Sequence, residues 1–247
     1  MEKHRNSIEF MVYGPYALFS EPYSSMSGEK FTYHIPTYEA LKGIVESIYW
    51  KPTITWIIDA VRVMNPIQTE TKNIRLLKFS SSKSKSDLAN YTYLKDVCYQ
   101  VRAHFEFNLN HPELEQDRNE NKHHNIATRM VDRGGRRDVF LGTRECQAFV
   151  EPCIFGEEKS FYDDLTGEIA FGFMYHSITY ADEARLDNEK GKMTVNFWRP
   201  VMKQGGIIEM LHPDKCKEKR TVKDMEVTKF SKGEFSGLTE FKEEELM

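Results

Sequence analysis

A lysine followed by two histidines is the group in this sequence whose residue types are best suited to chemistry. Lys122, His123 and His124 are adjacent in the chain. Histidine has a reference pKa of ~6.5, so it can act as acid or base at neutral pH, while lysine supplies a positive charge. The hydrophobic pattern that follows predicts a helix over about residues 122–133, and the free N–H groups of a helix N-terminus attract anions. These features together predict a phosphate site at the start of this helix.

An arginine pair follows the predicted helix. Arg136 and Arg137 come directly after two glycines that end the helical pattern. They lie a helix length away from the Lys-His pair, so we expect them to hold RNA or a neighbouring segment rather than to act on the reacting bond. The alternative is that the pair forms ion pairs with Asp132 or Asp138 across the turn.

The order of predicted elements brings a tyrosine to the same site. Over the first 150 residues the periodicity predicts strand, helix, strand, strand, helix, strand, which is the βαββαβ order of a ferredoxin-like or RRM-like domain. Thr37 is the predicted N-cap of the first helix, Lys51-Pro52 ends it, and a bulge is expected near Asp59-Ala60 in the next strand. In this layout the first helix ends where the second begins, so Tyr49 is predicted to lie near Lys122 and His123.

A tyrosine, a lysine and a histidine around one phosphate fit metal-independent RNA cleavage. One group removes the proton of the 2′-hydroxyl, which attacks the phosphorus, and a cation stabilises the charge on the phosphoryl oxygens. Tyrosine is a weak base unless cations lower its pKa, and Lys122 is expected to do so for Tyr49. With no carboxylate cluster of two-metal spacing, neither a metal nor another cofactor is expected. Three alternatives stay open: Tyr49 only completes the core, the histidines are ordinary loop residues, or His124 takes the role of His123.

The second part of the chain has a different pattern. After Pro152, short aromatic runs alternate with turn residues, which predicts a small antiparallel sheet. Beyond residue 215 the chain is highly charged. We therefore predict an α+β protein with a ferredoxin-like domain over residues 1–150, a small β domain over residues 151–225 and a charged tail over residues 226–247.

Charge is segregated along these 247 residues, although the net charge is only −4. Residues 71–86 hold five basic residues, Lys72 and Lys78 among them, and no acidic one, and the Ser/Lys-rich part is expected to be a flexible loop. Such a basic segment predicts RNA binding, with weak duplex DNA binding as a lesser alternative. No apolar run is long enough to span a membrane. The four cysteines have no metal-ligand spacing and are expected to be free thiols in a reducing cytoplasm; they are Cys98, Cys146, Cys153 and Cys216.

Long motifs throughout the chain resemble one known family. The sequence is similar to the fifth family of CRISPR-associated RAMP proteins, in its subtype I-C (Dvulg) branch. The segments that carry the resemblance are 14–19 (GPYALF), 36–43 (PTYEALKG), 46–52 (ESIYWKP), 104–108 (HFEFN) and 134–142 (GGRRDVFLG).

The resemblance implies an endoribonuclease that cuts the repeat of a precursor CRISPR RNA, leaves a 2′,3′-cyclic phosphate and keeps the 5′ handle of the product in the subtype I-C interference complex. The family's catalytic tyrosine falls on Tyr49, and its Lys-His pair falls on Lys122 and His123, with His124 as an extra neighbour. Arg136 and Arg137 are expected to bind RNA, together with Lys72, Lys78 and His124. The alternative is a non-catalytic scaffold that holds the handle of the CRISPR RNA among the other subunits of that complex.

Overall fold

The computed structural model describes residues 4–22, 29–77 and 86–227. In these residues the protein is a mixed α/β structure, built mostly of antiparallel sheet with few helices. The described ranges hold two α-helices, α1 (Tyr38–Ile48) and α2 (Glu120–Asp132), and a 3-10 turn over Pro112–Asp117 precedes α2. The strands are β1 (Ile8–Ala17), β2 (Lys30–Phe31), β3 (Ile54–Val63), β4 (Thr69–Leu77), β5 (Ser86–Phe107), β6 (Val139–Phe140), β7 (Gln147–Pro152), β8 (Ile169–Ala170), β9 (Met174–Thr179), β10 (Lys192–Trp198), β11 (Val201–Met202), β12 (Ile207–Glu209) and β13 (Glu218–Asp224).

The long strand β5 is the centre of the main sheet. It pairs antiparallel with β1, β3 and β4, and parallel with the short β2. The sheet order is β12-β3-β5-β1-β7-β6. Residues 97–107 of β5 alternate between the two faces of the sheet, and Tyr99, Val101, Ala103 and Phe105 are all almost fully buried on one of them. The predicted bulge is also confirmed, because the register of β3 against β5 shifts between Ile58 and Ala60.

Helix α1 forms where the sequence predicts it. The hydroxyl of Thr37 accepts a hydrogen bond from the N–H of Ala40 and caps the helix. Its buried residues follow the helical period, since Leu41, Ile44, Val45 and Ile48 face the core with at most 2% exposure. The helix ends at residue 48, before the Lys51-Pro52 dipeptide.

Strand β1 does not end at Gly14-Pro15, although glycine and proline are typical of strand ends. Strand β1 continues to Ala17, and Gly14 pairs with Val97 of β5. A Cβ atom on Gly14 would lie 2.9 Å from the carbonyl oxygen of Gln147 on β7. The glycine is therefore required by the close approach of β7 rather than by a turn.

The chain beyond β7 forms two small sheets and returns once to the main one. Strands β13, β10 and β9 form a three-stranded antiparallel sheet, and β8 pairs with β11, while β12 joins β3 at the edge of the main sheet. The three-stranded sheet contacts α1, where the rings of Tyr38 and His176 stack at 4.4 Å and the N–H of Ile178 donates to Glu39 at 3.0 Å.

Some sequence predictions fall on residues that are not described. They concern Lys78, most of the Ser/Lys-rich loop and residues 228–247 of the predicted tail. The four cysteines are free thiols, as expected. Among the described residues, neither helix has the length and apolar composition to cross a membrane.

Candidate active site

Tyr49 is the residue at which α1 stops and the chain turns into an extended conformation. Its N–H still donates to the carbonyl of Val45 at 2.9 Å, and its own carbonyl accepts a hydrogen bond from the indole of Trp56 at 2.7 Å. These two backbone contacts fix the direction in which the side chain leaves the helix. The side chain is buried, with 3% of the residue exposed.

His123 lies in the first turns of α2, which Asn119 caps by accepting the N–H of Lys122. It is fully buried, and the rings of Phe105 and Phe107 meet it edge to face. Nδ1 of His123 lies 2.8 Å from the hydroxyl of Tyr49, and Nε2 lies 2.8 Å from the carbonyl oxygen of Asp117. A carbonyl can only accept, so Nε2 carries the hydrogen and Nδ1 accepts from the tyrosine hydroxyl. This geometry fixes the neutral tautomer of the imidazole.

The carboxylate of Asp117 links the remaining groups of the site. It forms an ion pair with Lys122, accepts a hydrogen bond from Thr53 at 2.7 Å and lies 3.5 Å from Nε2 of His123. Burial opposes its ionisation, but the hydrogen bonds from Lys122 and Thr53 and the charge of Lys122 outweigh burial and lower the pKa of Asp117. Asp117 was not predicted as a site residue, because it lies in a 3-10 turn with no periodic pattern. The only signal in the sequence was a carboxylate five residues before Lys122.

The charge environment of Tyr49 differs from the one predicted. Lys122 was expected to lower the pKa of Tyr49, but its ammonium is paired with Asp117. Burial and the charge of Asp117 raise the pKa of Tyr49, and only Arg136 acts in the opposite direction. The hydroxyl therefore keeps its proton at neutral pH and can pass it on only while it receives another.

The arginine pair closes the end of α1 with its backbone. The N–H groups of Arg136 and Arg137 donate to the carbonyls of Ile48 and Ser47 at 3.2 and 3.1 Å. These carbonyls belong to the last turn of α1 and have no partner within the helix. Both arginine side chains are exposed. Within the described part of the chain neither forms an ion pair, so the alternative with Asp132 or Asp138 is wrong.

The other predicted binding residues lie apart from this cluster. Nε2 of His124 faces the carbonyl of Ser7 at 3.2 Å, so the second histidine contacts the residue before β1 and not Tyr49. The ammonium of Lys72 lies over the ring of Tyr16, 3.3 Å from its centre, and 3.8 Å from Glu70. The structure thus brings Tyr49, Lys122 and His123 together and leaves His124 and Lys72 outside.

His104 is buried in a second polar cluster on the other face of β5. Its Nδ1 lies 2.8 Å from the carboxylate of Asp59, and its ring stacks on His4 at 3.8 Å. Burial disfavours the charged imidazole, but the hydrogen bonds and charges of Asp59 and Glu106 outweigh it and raise the pKa of His104 to about 9. This ion pair sits at the β3 bulge, where it joins the two central strands.

Comparison with known proteins gives one consistent family. The model of the Cas5d family, described as CRISPR-associated protein (Cas_Cas5), matches residues 7–208. A relative from Mannheimia succiniciproducens, named CRISPR pre-crRNA endoribonuclease Cas5d, is 30% identical over 231 residues, which cover 82% of this chain and 94% of the relative. A relative of the same name from Thermus thermophilus is 26% identical over 156 residues, with 59% of this chain and 63% of the relative covered.

Two solved structures are also similar. A crystal structure of a CRISPR-associated protein is 32% identical, with a TM-score of 0.69, and the match covers 87% of this chain and 96% of that one. A functionally uncharacterized protein from Streptococcus mutans is 35% identical, with the same TM-score and coverage of 87% and 97%. The family resemblance seen in the sequence motifs is confirmed: this chain belongs to the Cas5d family of CRISPR-associated proteins.

Proposed function

We propose that this protein is an endoribonuclease that cuts the repeat RNA of a precursor CRISPR transcript without a metal ion. The observation that carries the proposal is the hydrogen-bonded set of Tyr49, His123, Asp117 and Lys122 in a member of a family whose named relatives process this RNA. Attack by a 2′-hydroxyl requires a group that accepts its proton and a cation that stabilises charge on the phosphoryl oxygens. Tyr49 with His123 can provide the first, and Lys122 can provide the second.

The strand order supports a ferredoxin-like, RRM-like reading of the N-terminal part. The elements β1-α1-β3-β5-α2-β7 follow the βαββαβ order, and their strands are arranged as β3-β5-β1-β7 in the sheet. We assign this domain to residues 1–150, a small β domain to residues 151–225 and a charged tail to residues 226–247. The four free thiols favour a reducing, cytoplasmic location.

In the proposed reaction, Tyr49 contacts the RNA and His123 stores the proton. The 2′-oxygen bonds to phosphorus as its proton passes to the oxygen of Tyr49, and the proton of Tyr49 passes to Nδ1 of His123. The bond from phosphorus to the 5′-oxygen breaks, the 5′-oxygen takes a proton from water, and a 2′,3′-cyclic phosphate remains. The imidazolium returns its proton through Tyr49 to solvent, so no proton is consumed overall. Lys122, whose side chain is 47% exposed, stabilises the phosphoryl charge.

Basic residues at this site and farther from it are proposed to hold the RNA. Arg136 and Arg137 flank the end of α1 beside Tyr49, and His124 follows the Lys-His pair on α2. Lys72 lies on β4 of the basic hairpin that β4 and β5 form, and Lys78 is in the sequence between these two strands. We propose that the product stays bound by its 5′ handle and that the protein is a subunit of the subtype I-C effector complex. Weak duplex DNA binding by the same basic hairpin is the lesser proposal.

The test is cleavage of the cognate repeat RNA in EDTA. The wild-type protein is expected to cut, and a deoxyribose upstream of the cut should stop the reaction, because the nucleophile is then missing. His123→Ala should abolish cleavage. At saturating protein its matched neighbour variant His124→Ala should cut at nearly the wild-type rate, because His124 is proposed to contribute only to RNA affinity. Equal activity of both histidine variants would reject the site.

A non-catalytic scaffold is the second candidate, favoured by the almost complete burial of Tyr49 and His123. It predicts tight binding of the repeat RNA without any cleavage in either EDTA or magnesium. Wild-type cleavage that requires the 2′-hydroxyl would therefore reject the scaffold alternative.

A further inference from the structure

A groove in the C-terminal part of the protein is not used by the chemistry described above. It has a volume of about 570 Å³ and is bounded by β10 and by the segments 199–203, 209–211 and 215–218, with Phe173 at its edge. Its floor includes Trp198, which is 8% exposed and whose indole N–H has no hydrogen-bond partner among the described residues.

Two aromatic rings and one guanidinium form a stacked set along this groove. The rings of Phe173 and Phe197 are nearly parallel, with centroids 5.2 Å apart, and the guanidinium of Arg199 lies 5.4 Å from the centre of the Phe173 ring. Phe173 is 41% exposed. A guanidinium and a nucleobase are both flat groups that stack on an aromatic face, so the position of Arg199 over Phe173 is one that a base can take.

The charges around the groove are mostly positive. Four basic side chains line it against two acidic ones, although the whole chain has a net charge of −4. Lys203 is paired with Glu209 at 3.1 Å. Lys215 and Lys217 are exposed, and neither forms an ion pair within the described residues. Two unpaired ammonium groups beside exposed aromatic rings complement a phosphate backbone that carries its bases outward.

The groove is separate from the Tyr49 site. Trp198 on its floor meets the ring of His176 edge to face at 5.1 Å, and His176 stacks on Tyr38, the first residue of α1. Tyr49 follows the last residue of this helix, and 11 residues of helix span ~16 Å. A ligand in the groove would therefore bind beyond the far end of α1 from the reacting hydroxyl.

We propose that this groove binds a single-stranded segment of the CRISPR RNA, with one base stacked on Phe173 and adjacent phosphates held by Arg199, Lys215 and Lys217. The proposal rests on the proposed function, since it extends the RNA path from the Tyr49 site along α1 to the C-terminal sheet. Stacking of one base on an aromatic ring stabilises the complex more than an exposed cation–π contact does, so a base can displace the guanidinium.

The experiment compares two RNAs that cannot be cut. Both carry the repeat hairpin with deoxyribose upstream of the cut, and only one has single-stranded flanks of about 8 nucleotides, a length within the usual range of such sites. Fluorescence anisotropy with the full chain gives the Kd. Phe173→Ala should weaken binding of the flanked RNA by roughly 5- to 100-fold, the loss of one stacked base. The trimmed hairpin should bind equally well to the variant and the wild type.

Lysine variants test the electrostatic half of the proposal. The double variant Lys215→Gln, Lys217→Gln should reduce the slope of log K against log salt by about 1.4, because two single-strand phosphate contacts are lost. The matched controls are Phe161→Ala and Lys159→Gln, since Phe161 is 66% exposed and Lys159 is exposed, both outside the groove. These controls should bind the flanked RNA as the wild type does.

The outcomes separate this proposal from the proposed function. Suppose that the wild type cuts the all-ribose repeat RNA but that Phe173→Ala binds the flanked RNA with the wild-type Kd. The groove assignment is then overturned, and the proposed function is not. If the wild type neither binds nor cuts repeat RNA, both proposals are overturned. The molecular mass of the wild-type protein in solution could instead rise with concentration, and Phe173→Ala could abolish this rise without changing RNA affinity. That result would assign the groove to self-association and overturn the proposal that it binds RNA.

Discussion

Removal of the hydroxyl of Tyr49 is the most direct test of how this site works. In Tyr49→Phe, Nδ1 of the fully buried His123 loses the hydrogen bond of 2.8 Å that it accepts. An unsatisfied buried acceptor costs about 1–3 kcal/mol of unfolding free energy. Loss of an acid–base group costs roughly 10²- to 10⁴-fold in rate, or about 3–5 kcal/mol of transition-state stabilisation. We expect both losses in the same variant.

The chain offers a matched control at the other end of the same helix. Tyr38 is 1% exposed, and its hydroxyl accepts a hydrogen bond of 3.3 Å from the N–H of Ile58. Tyr38→Phe removes the same atom from a comparably buried site and leaves a comparably unsatisfied group, so its unfolding free energy should fall by a similar ~1–3 kcal/mol. Its cleavage rate should stay within about threefold of wild type, because a lower unfolding free energy does not by itself reduce stabilisation of the transition state.

The assay is single-turnover cleavage of repeat RNA in EDTA at saturating protein, with urea unfolding of the same samples. The double variant Tyr49→Phe, His123→Ala should be no slower than the slower single variant, because residues that act as one unit are not additive. Equal slowing of the Tyr49 and Tyr38 variants would refute the reasoning, since the rate loss would then follow stability. Multiplied effects in the double variant would show that the two residues act independently.

The remaining predictions concern the supports of the site and the stability of the fold. Asp117→Asn should slow cleavage roughly 10- to 100-fold, because Lys122 and His123 are no longer held in alignment. The Asp117 carboxylate raises the pKa of Tyr49, so the same variant should move the alkaline limb of the pH–rate profile to lower pH. The pKa of His104 is raised from 6.5 to about 9, so the stability from its pair with Asp59 is complete below pH 6.5 and is lost as pH rises through 9. Thermal unfolding of wild type and Asp59→Asn between pH 6 and 9.5 measures how much unfolding free energy the pair contributes at each pH. The difference between the two proteins should not exceed about 3 kcal/mol and should shrink towards pH 9.5. Gly43→Ala, in α1 with open space around its Cβ position, should raise the unfolding free energy by about 0.5–1 kcal/mol in urea without changing cleavage.

Local patterns predicted the elements that position the site. The hydroxyl of Thr37, the apolar face of α1 and the alternation along β5 each have a periodic or capping signal that depends only on near neighbours. These elements, placed in the βαββαβ order, were enough to predict that Tyr49 meets His123 across 74 residues. The site geometry could be predicted because it follows from element order rather than from loop conformation.

The parts that the sequence did not predict depend on contacts without a period. Asp117 reaches the site from a 3-10 turn, and the Gly14-Pro15 dipeptide, which is typical of a strand end, lies within β1. The return of β12 to pair with β3 involves three residues and a separation of about 145 positions, as Ile207 pairs with Arg62. A three-residue strand has no periodic signal of its own, so only the assembled sheet shows where it belongs.

The burial of His123 determines which proton-transfer step Tyr49 and His123 can each perform. Both of its ring nitrogens have protein partners, and its imidazole has no exposed surface, so it exchanges no proton directly with water or RNA. A backbone carbonyl, the partner of Nε2, does not accept a proton, which leaves the Tyr49 hydroxyl as the route to Nδ1. Because burial and Asp117 raise the pKa of Tyr49, a free phenolate is disfavoured, and the hydroxyl gains a proton as it gives one up. In the proposed mechanism, Tyr49 and His123 therefore form a proton relay with the exposed Lys122 beside it, and the adjacent His124 lies outside the relay because it faces Ser7.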